Sequence, residues 1–239
     1  MQSPRKRASP DDLGRNRSAQ PGDRQPVFVY GSHLWFPRFR YTCHSATLDN
    51  CAVARLEGYR VTFDKRSLKF GGSGKATIAA SPGDHAWGVV YWVHPEDRVC
   101  LDIEEGVPSN RRADWGKEVA IDQVPTLSER TYIPTTVSVA IANGEVLHPR
   151  AYVATAKARE GSEAPFDWYR CLVVEGARKW GIPEEYIRRI EDVAVKVDSD
   201  PQQDSPDKGA YWLRMEWSPR PPTQSQKAPS PPHITSKGE

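Results

Sequence analysis

The 239-residue chain has little that marks an extracellular, metal-binding or membrane protein. Its four cysteines, Cys43, Cys51, Cys100 and Cys171, form no CxxC pair and none sits near a histidine at metal-ligand spacing, so neither a disulfide framework nor a zinc site is read from them. No apolar run reaches the roughly 18 residues of a membrane span, and no signal-peptide apolar core follows the basic start. Charge of either sign is also scarce in net terms. The whole chain is +2, and once a +3 start and a +1 end are set aside the middle is about −2, which speaks against a nucleic-acid surface. The expectation is a soluble, cytoplasmic protein with reduced thiols, no membrane and no nucleic-acid partner.

The two ends differ from the middle. Residues 1–26 are polar and basic with almost nothing apolar and read as a disordered arm, in which Arg5-Lys6-Arg7 is too short a cluster to matter. Residues 201–239 are expected to be a mostly disordered Pro-rich tail, with six prolines after Ser218 and one apolar island at 211–217 that docks on the domain or meets a partner. A polyproline tail fits SH3 or WW grooves, although no clean PxxP context is present. Residues 27–200 are the folded domain.

That domain is organised around Val27-Phe28-Val29-Tyr30-Gly31-Ser32-His33-Leu34. A β-branched and aromatic run ending at Gly-Ser reads as a buried strand closed by a tight bend. Successive N–H groups in such a bend make a nest for a carboxylate or an oxyanion. Leu34 to Tyr41 is aromatic, basic and broken by Pro37: an ordered loop or short helical turn that seals the core or walls a pocket. Cys51 to Phe63 reads as two short strands kinked at Gly58. Gly71-Gly72-Ser73-Gly74-Lys75 lacks the spacing and the following helix of a phosphate loop. Ser81 to Asp84 is expected to be a turn before the strand Trp87 to Val93.

His94 to Val107 carries helix start and stop signals, with Pro95 and early acids at one end and Gly106 at the other. Val99, Cys100 and Ile103 are expected to be its buried face. Glu104 and Glu105 then fall at the negative end of the helix dipole. Repulsion among Asp102, Glu104 and Glu105, together with burial, is expected to make one glutamate hold its proton more tightly, as a group that accepts and returns a proton needs to.

Residues 109–130 are irregular and read as a long loop, of the kind that forms lids or binding elements. Tyr132 to Thr155 reads as a hairpin turning at Asn143-Gly144, with Arg150 and Tyr152 on one strand face. Helices are expected from Pro165 to Trp180, ended by Gly181, and over residues 184–193.

The ordered set of Tyr-Gly-Ser-x-Leu after a first strand, Pro-Gly-Asp-x-x-Trp-Gly-Val-Val-Tyr, Glu-Glu-Gly-Val at a helix end, a tyrosine in a strand arm, and Gly-Ala-x-x-x-Gly-Ile-Pro-x-x-Tyr resembles the γ-glutamylcyclotransferase family over residues 27 to about 200. The resemblance implies an α+β fold, a small mixed β-barrel-like sheet with flanking helices. It implies cofactor-free and metal-free conversion of γ-glutamyl compounds to 5-oxoproline, a lyase- or acyltransferase-type cyclisation within glutathione metabolism. It assigns Glu105 as catalytic acid/base. Val27, Phe28, Val29, Tyr30, Gly31, Ser32, His33 and Tyr152 become substrate contacts. Two departures stand out: His33 replaces the family's common asparagine, and the stretch after Val107 is long. Related readings are a γ-glutamylamine cyclotransferase, a γ-glutamyl-deprotecting relative, and a non-catalytic binding module on the same fold.

Overall fold

A computed structural model describes residues 23–108, 118–198 and 209–219. Most of the expected basic arm, residues 109–117 of the long loop, and residues 201–208 and 220–239 of the Pro-rich tail lie outside the described residues.

Three strands form the centre of one eight-stranded mixed sheet. They are β1 (Gln25–Val29), β2 (Cys51–Arg66) and β3 (Gly74–Val93), with β3 paired antiparallel to both neighbours. The first strand starts at Gln25, two residues before the expected domain boundary. Cys51 to Arg66 is one long strand rather than two short ones: the pairing with β3 slips between Glu57 and Tyr59, so the kink at Gly58 is a bulge inside it. Opposite that bulge, Ser81 to Asp84 does not end a strand as expected. Glu57 pairs with His85 and Tyr59 with Ala80, so these four residues loop out within β3.

Four further strands belong to a single hairpin, β5 (Tyr132–Thr136), β6 (Val139–Ile141), β7 (Val146–Leu147) and β8 (Arg150–Ala154). One register runs its whole length, from Tyr132 opposite Ala154 to Ala140 opposite Val146, with the turn at Asn143-Gly144 as expected. The base of the hairpin pairs with β1 through β8, and its tip pairs with β2 through β6. One short hairpin therefore touches both flanks of the central three strands. The sheet order β4-β5-β8-β1-β3-β2-β6-β7, in which β4 is Val119–Ala120, closes over that distance only by curling into a half-barrel.

Helices flank the half-barrel: α1 (Phe36–Thr42), α2 (Pro95–Glu104), α3 (Ala156–Arg159), α4 (Asp167–Lys179), α5 (Glu184–Glu191) and α6 (Gly209–Leu213). In α4 and α5 the apolar period meets the core as expected, with Leu172, Val173, Tyr186, Ile187 and Ile190 buried.

The buried face of α2 is not the apolar one. Val99 and Ile103 are 44% and 55% exposed, whereas Asp97, Leu101 and Asp102 are buried. Each buried acid has its own partners. Ser45 gives its amide to Asp97 at 2.7 Å and its hydroxyl as well. Asp102 lies 2.8 Å from Arg150 and accepts the Tyr152 hydroxyl at 2.7 Å. A fully buried carboxylate is tolerable only with such partners.

The island at 211–217 packs against α1 and α4. The Trp35 indole N–H donates to the Trp212 carbonyl at 2.8 Å, and Trp217 lies 5.4 to 5.9 Å from the rings of Trp35, Phe36 and Trp180.

Candidate active site

The end of β1 and the end of α2 meet at one cavity of about 480 Å³. Beyond Val29 the chain passes Tyr30 and Gly31 into a 3-10 turn, Ser32–Leu34. Gly31 has φ −109°, so its requirement is close approach: a Cβ there would stand 3.0 Å from the Ala76 Cβ and 3.4 Å from the Tyr169 hydroxyl. Two groups of α4 clamp the turn from outside. The Trp180 indole donates to the Leu34 carbonyl at 2.9 Å, and a Cβ at Gly176 would lie 2.7 Å from the Leu34 carbonyl carbon. The amides of Gly31, Ser32 and His33 have no protein acceptor among the described residues. Three unpaired N–H groups on a bend beside a cavity suit an anionic oxygen.

Glu105 is placed by the way α2 stops. Gly106 takes φ +71°, its amide bonds the Ile103 carbonyl at 3.1 Å, and the Val107 amide bonds the Asp102 carbonyl at 2.8 Å. This paired closure with a left-handed glycine fixes Glu105 as the C-cap just past Glu104, with its side chain 19% exposed and lining the cavity.

The turn and the helix end are joined through His33, which is 8% exposed. Its Nδ1 lies 3.5 Å from Glu105 Oε1 and its Nε2 3.5 Å from Glu104 Oε1, both ion-pair distances rather than hydrogen bonds. The two glutamates respond oppositely. Burial pushes the Glu105 carboxyl up and Glu104 adds to the push, while His33 opposes it. Burial also acts to raise Glu104, but His33, Arg38 and the Thr42 hydroxyl outweigh it and hold the carboxyl down at about 2. Arg38 sits 3.5 Å from Glu104. One carboxylate is thereby kept as a fixed anion and its neighbour as the better proton acceptor.

Asp102 takes a different part from the one expected of it. It is neutralised by Arg150, which also reaches Glu118 at 3.1 Å, and it is not among the leading influences on Glu105.

Besides Tyr152, three tyrosines line the cavity. The Tyr30 hydroxyl donates to the Tyr152 carbonyl and the Tyr132 hydroxyl to the Ala76 carbonyl at 2.6 Å, while the Tyr169 oxygen accepts from the Ala76 amide at 3.1 Å. Burial raises all three phenols, so they remain protonated. Tyr152 also lines the cavity, and its hydroxyl donates to Asp102 at 2.7 Å.

Of the residues assigned by resemblance, Phe28, Val29, Tyr30, Gly31, Ser32, His33, Glu105 and Tyr152 line the cavity. Val27 does not: it lies two residues further back along β1 than Val29, fully buried beside Arg150 in the parallel pairing of β1 and β8. Sequence reasoning missed Arg38, Lys65, Lys75, Tyr132 and Tyr169. Tyr169 was hidden in the apolar period of α4, and Lys75 in a glycine-rich stretch set aside as a failed phosphate loop. Among the described residues no group of three or more His, Cys, Asp and Glu is arranged to hold a metal ion.

Comparison with known proteins agrees with this architecture. The AIG2-like family model matches residues 112–190, which span the hairpin, α4 and α5. A bovine γ-glutamylcyclotransferase is 30% identical over 179 residues, 73% of this chain and 81% of its own, and the mouse protein is 29% identical over 177 residues, 72% and 80%. A solved γ-glutamyl cyclotransferase structure, 24% identical, superposes with a TM-score of 0.55 over 74% of this chain and 92% of its own, and shares the fold. On the identity to the bovine enzyme and its coverage, the chain belongs to the γ-glutamylcyclotransferase family of enzymes.

Proposed function

We propose that the chain converts a γ-glutamyl amino acid or amine to 5-oxoproline and the free amino acid or amine. The observation that carries this reading is the meeting of Glu105 with the Tyr30–His33 turn across His33 at 3.5 Å, in a cavity sized for a small molecule. The substrate's own α-amine attacks its γ-carbonyl, so a new C–N bond closes the five-membered ring and the γ-amide C–N bond breaks. The protein supplies no nucleophile.

Its contributions are three. Walls of buried tyrosine and phenylalanine hold the substrate folded on itself, which brings the reacting atoms together before reaction. Glu105 takes a proton from the attacking amine and returns it to the leaving nitrogen, a task suited to a carboxyl with a raised pKa. The unpaired amides of Gly31, Ser32 and His33 steady the negative charge on the carbonyl oxygen.

The test is 5-oxoproline release by the purified protein from a panel of γ-glutamyl amino acids, γ-glutamyl amines and ε-(γ-glutamyl)lysine. Release from amino-acid conjugates alone, or from amines alone, sorts the two substrate classes. No release from any of them counts against the reading and favours a binding module.

A further inference from the structure

Five basic side chains line the cavity, Arg38, Lys65, Lys69, Lys75 and Arg130, against only two carboxylates, Glu104 and Glu105. Arg38 is matched to Glu104 at 3.5 Å and Arg130 to Glu160 at 3.2 Å. Lys65 and Lys75 are different. Among the described residues neither has a carboxylate within ion-pair distance, and both sit against aromatic rings instead. Lys75 Nζ lies 4.4 Å from the Phe70 ring centre, 4.4 Å from that of Trp168 and 4.1 Å from that of Tyr169. Lys65 Nζ lies 4.9 Å from the centre of the Tyr132 ring.

A cage of π faces orients an ammonium and strips its water, yet leaves it without a counter-ion. Burial, with repulsion from Arg38, Lys65 and Lys69 added to it, lowers the Lys75 pKa well below the ordinary lysine range; Asp198, beyond Trp168 and bonded to its indole at 2.9 Å, only partly offsets this. An anion entering the cavity relieves both penalties together.

We propose that Lys75, with Lys65 beside it, is a specificity-determining residue that holds a carboxylate of the bound compound. The carboxylate comes either from the α-carbon of the γ-glutamyl group or from the leaving amino acid. The inference rests on the proposed reaction for its substrates, though not for the binding step itself.

The experiment compares wild type, Lys75→Met and Lys75→Arg with γ-glutamyl-alanine and γ-glutamyl-ethylamide, which lacks the leaving-group carboxylate. For Lys75→Met the KM is expected to rise about tenfold or more while kcat changes less than about threefold, the pattern of a lost binding contact to a charged group. Lys75→Arg keeps the charge and is expected to restore most of the affinity. A rise with both substrates assigns the α-carboxylate; a rise with γ-glutamyl-alanine alone assigns the leaving group. Unchanged KM in Lys75→Met on both substrates overturns the proposal, and so does Lys75→Arg behaving worse than Lys75→Met, because a purely packing role is spared by methionine.

Calorimetric titration with glutarate and its neutral diamide is the arm that needs neither turnover nor Lys75→Met to fold. Wild type and Lys75→Arg are expected to bind glutarate at least about tenfold more tightly than the diamide. Equal binding of the two overturns the proposal. If wild type releases no 5-oxoproline but still prefers glutarate, the proposed reaction fails and the carboxylate site stands.

Discussion

His33 Nδ1 stands 3.5 Å from Glu105 Oε1, and through this ring the bend after the first strand meets the end of the second helix. The imidazole faces Glu104 on its other side, so a single ring lies between a carboxylate held ionised and one pushed toward protonation.

His33→Asn removes a group that lowers the Glu105 pKa. Glu104 remains ionised near neutrality and goes on repelling its neighbour, so the Glu105 pKa rises further. Because the base acts in its ionised form, the acid limb of the kcat/KM profile is expected to move to higher pH. A limb that stays in place or moves to lower pH contradicts the coupling.

Glu104 contributes to stability in an acid-sensitive way. Its folded pKa, about 2, lies below the ordinary 4.5, so its stabilisation is complete above about pH 4.5 and is lost as pH falls toward 2. Since 31% of the side chain is exposed, solvent screening reduces the effect to about 1–2 kcal/mol. Denaturant melts of wild type and Glu104→Gln are expected to differ by that amount at pH 6 and to converge near pH 2. A difference that does not change with pH argues against the assignment.

Gly176→Ala tests whether α4 sets the position of the Tyr30–His33 bend. The new methyl would stand 2.7 to 2.8 Å from Leu34 and from the Trp35 amide, so backbone has to move. The expected cost is about 1–3 kcal/mol of stability. A larger proportional loss of kcat than of stability in thermal melts marks displacement of the bend. Unchanged kcat shows that the clamp is irrelevant to turnover.

Asp102 is the hub of a buried network: its removal takes one carboxylate from Arg150, which keeps Glu118, and takes the acceptor from the Tyr152 hydroxyl. Asp102→Ala is expected to cost about 3–5 kcal/mol in urea melts, and Tyr152→Phe about 1 kcal/mol. Equal effects of the two would show that Arg150 is satisfied without Asp102.

The hairpin was readable because Asn143-Gly144 and alternation of apolar residues agree over its whole length, and a pair of glutamates at a helix end because proline, early acids and Gly106 bound that helix; the choice of Glu105 over Glu104 came from the family resemblance. The orientation of α2 was not. Apolar periodicity picks out Val99 and Ile103, yet the buried face is held by Asp97 and Asp102, whose partners Ser45, Arg150 and Tyr152 come from distant parts of the chain. Lys75 is the same kind of case. Its cage draws one ring from the loop before β3 and two from α4, more than ninety residues later, and no local pattern joins them.

The most direct measurement is 5-oxoproline formation by Glu105→Gln, with folding checked by circular dichroism. Glutamine keeps the shape of the side chain but cannot carry the proton. The account predicts a fall in kcat of about 10²-fold or more in a folded protein. Turnover equal to wild type would contradict it.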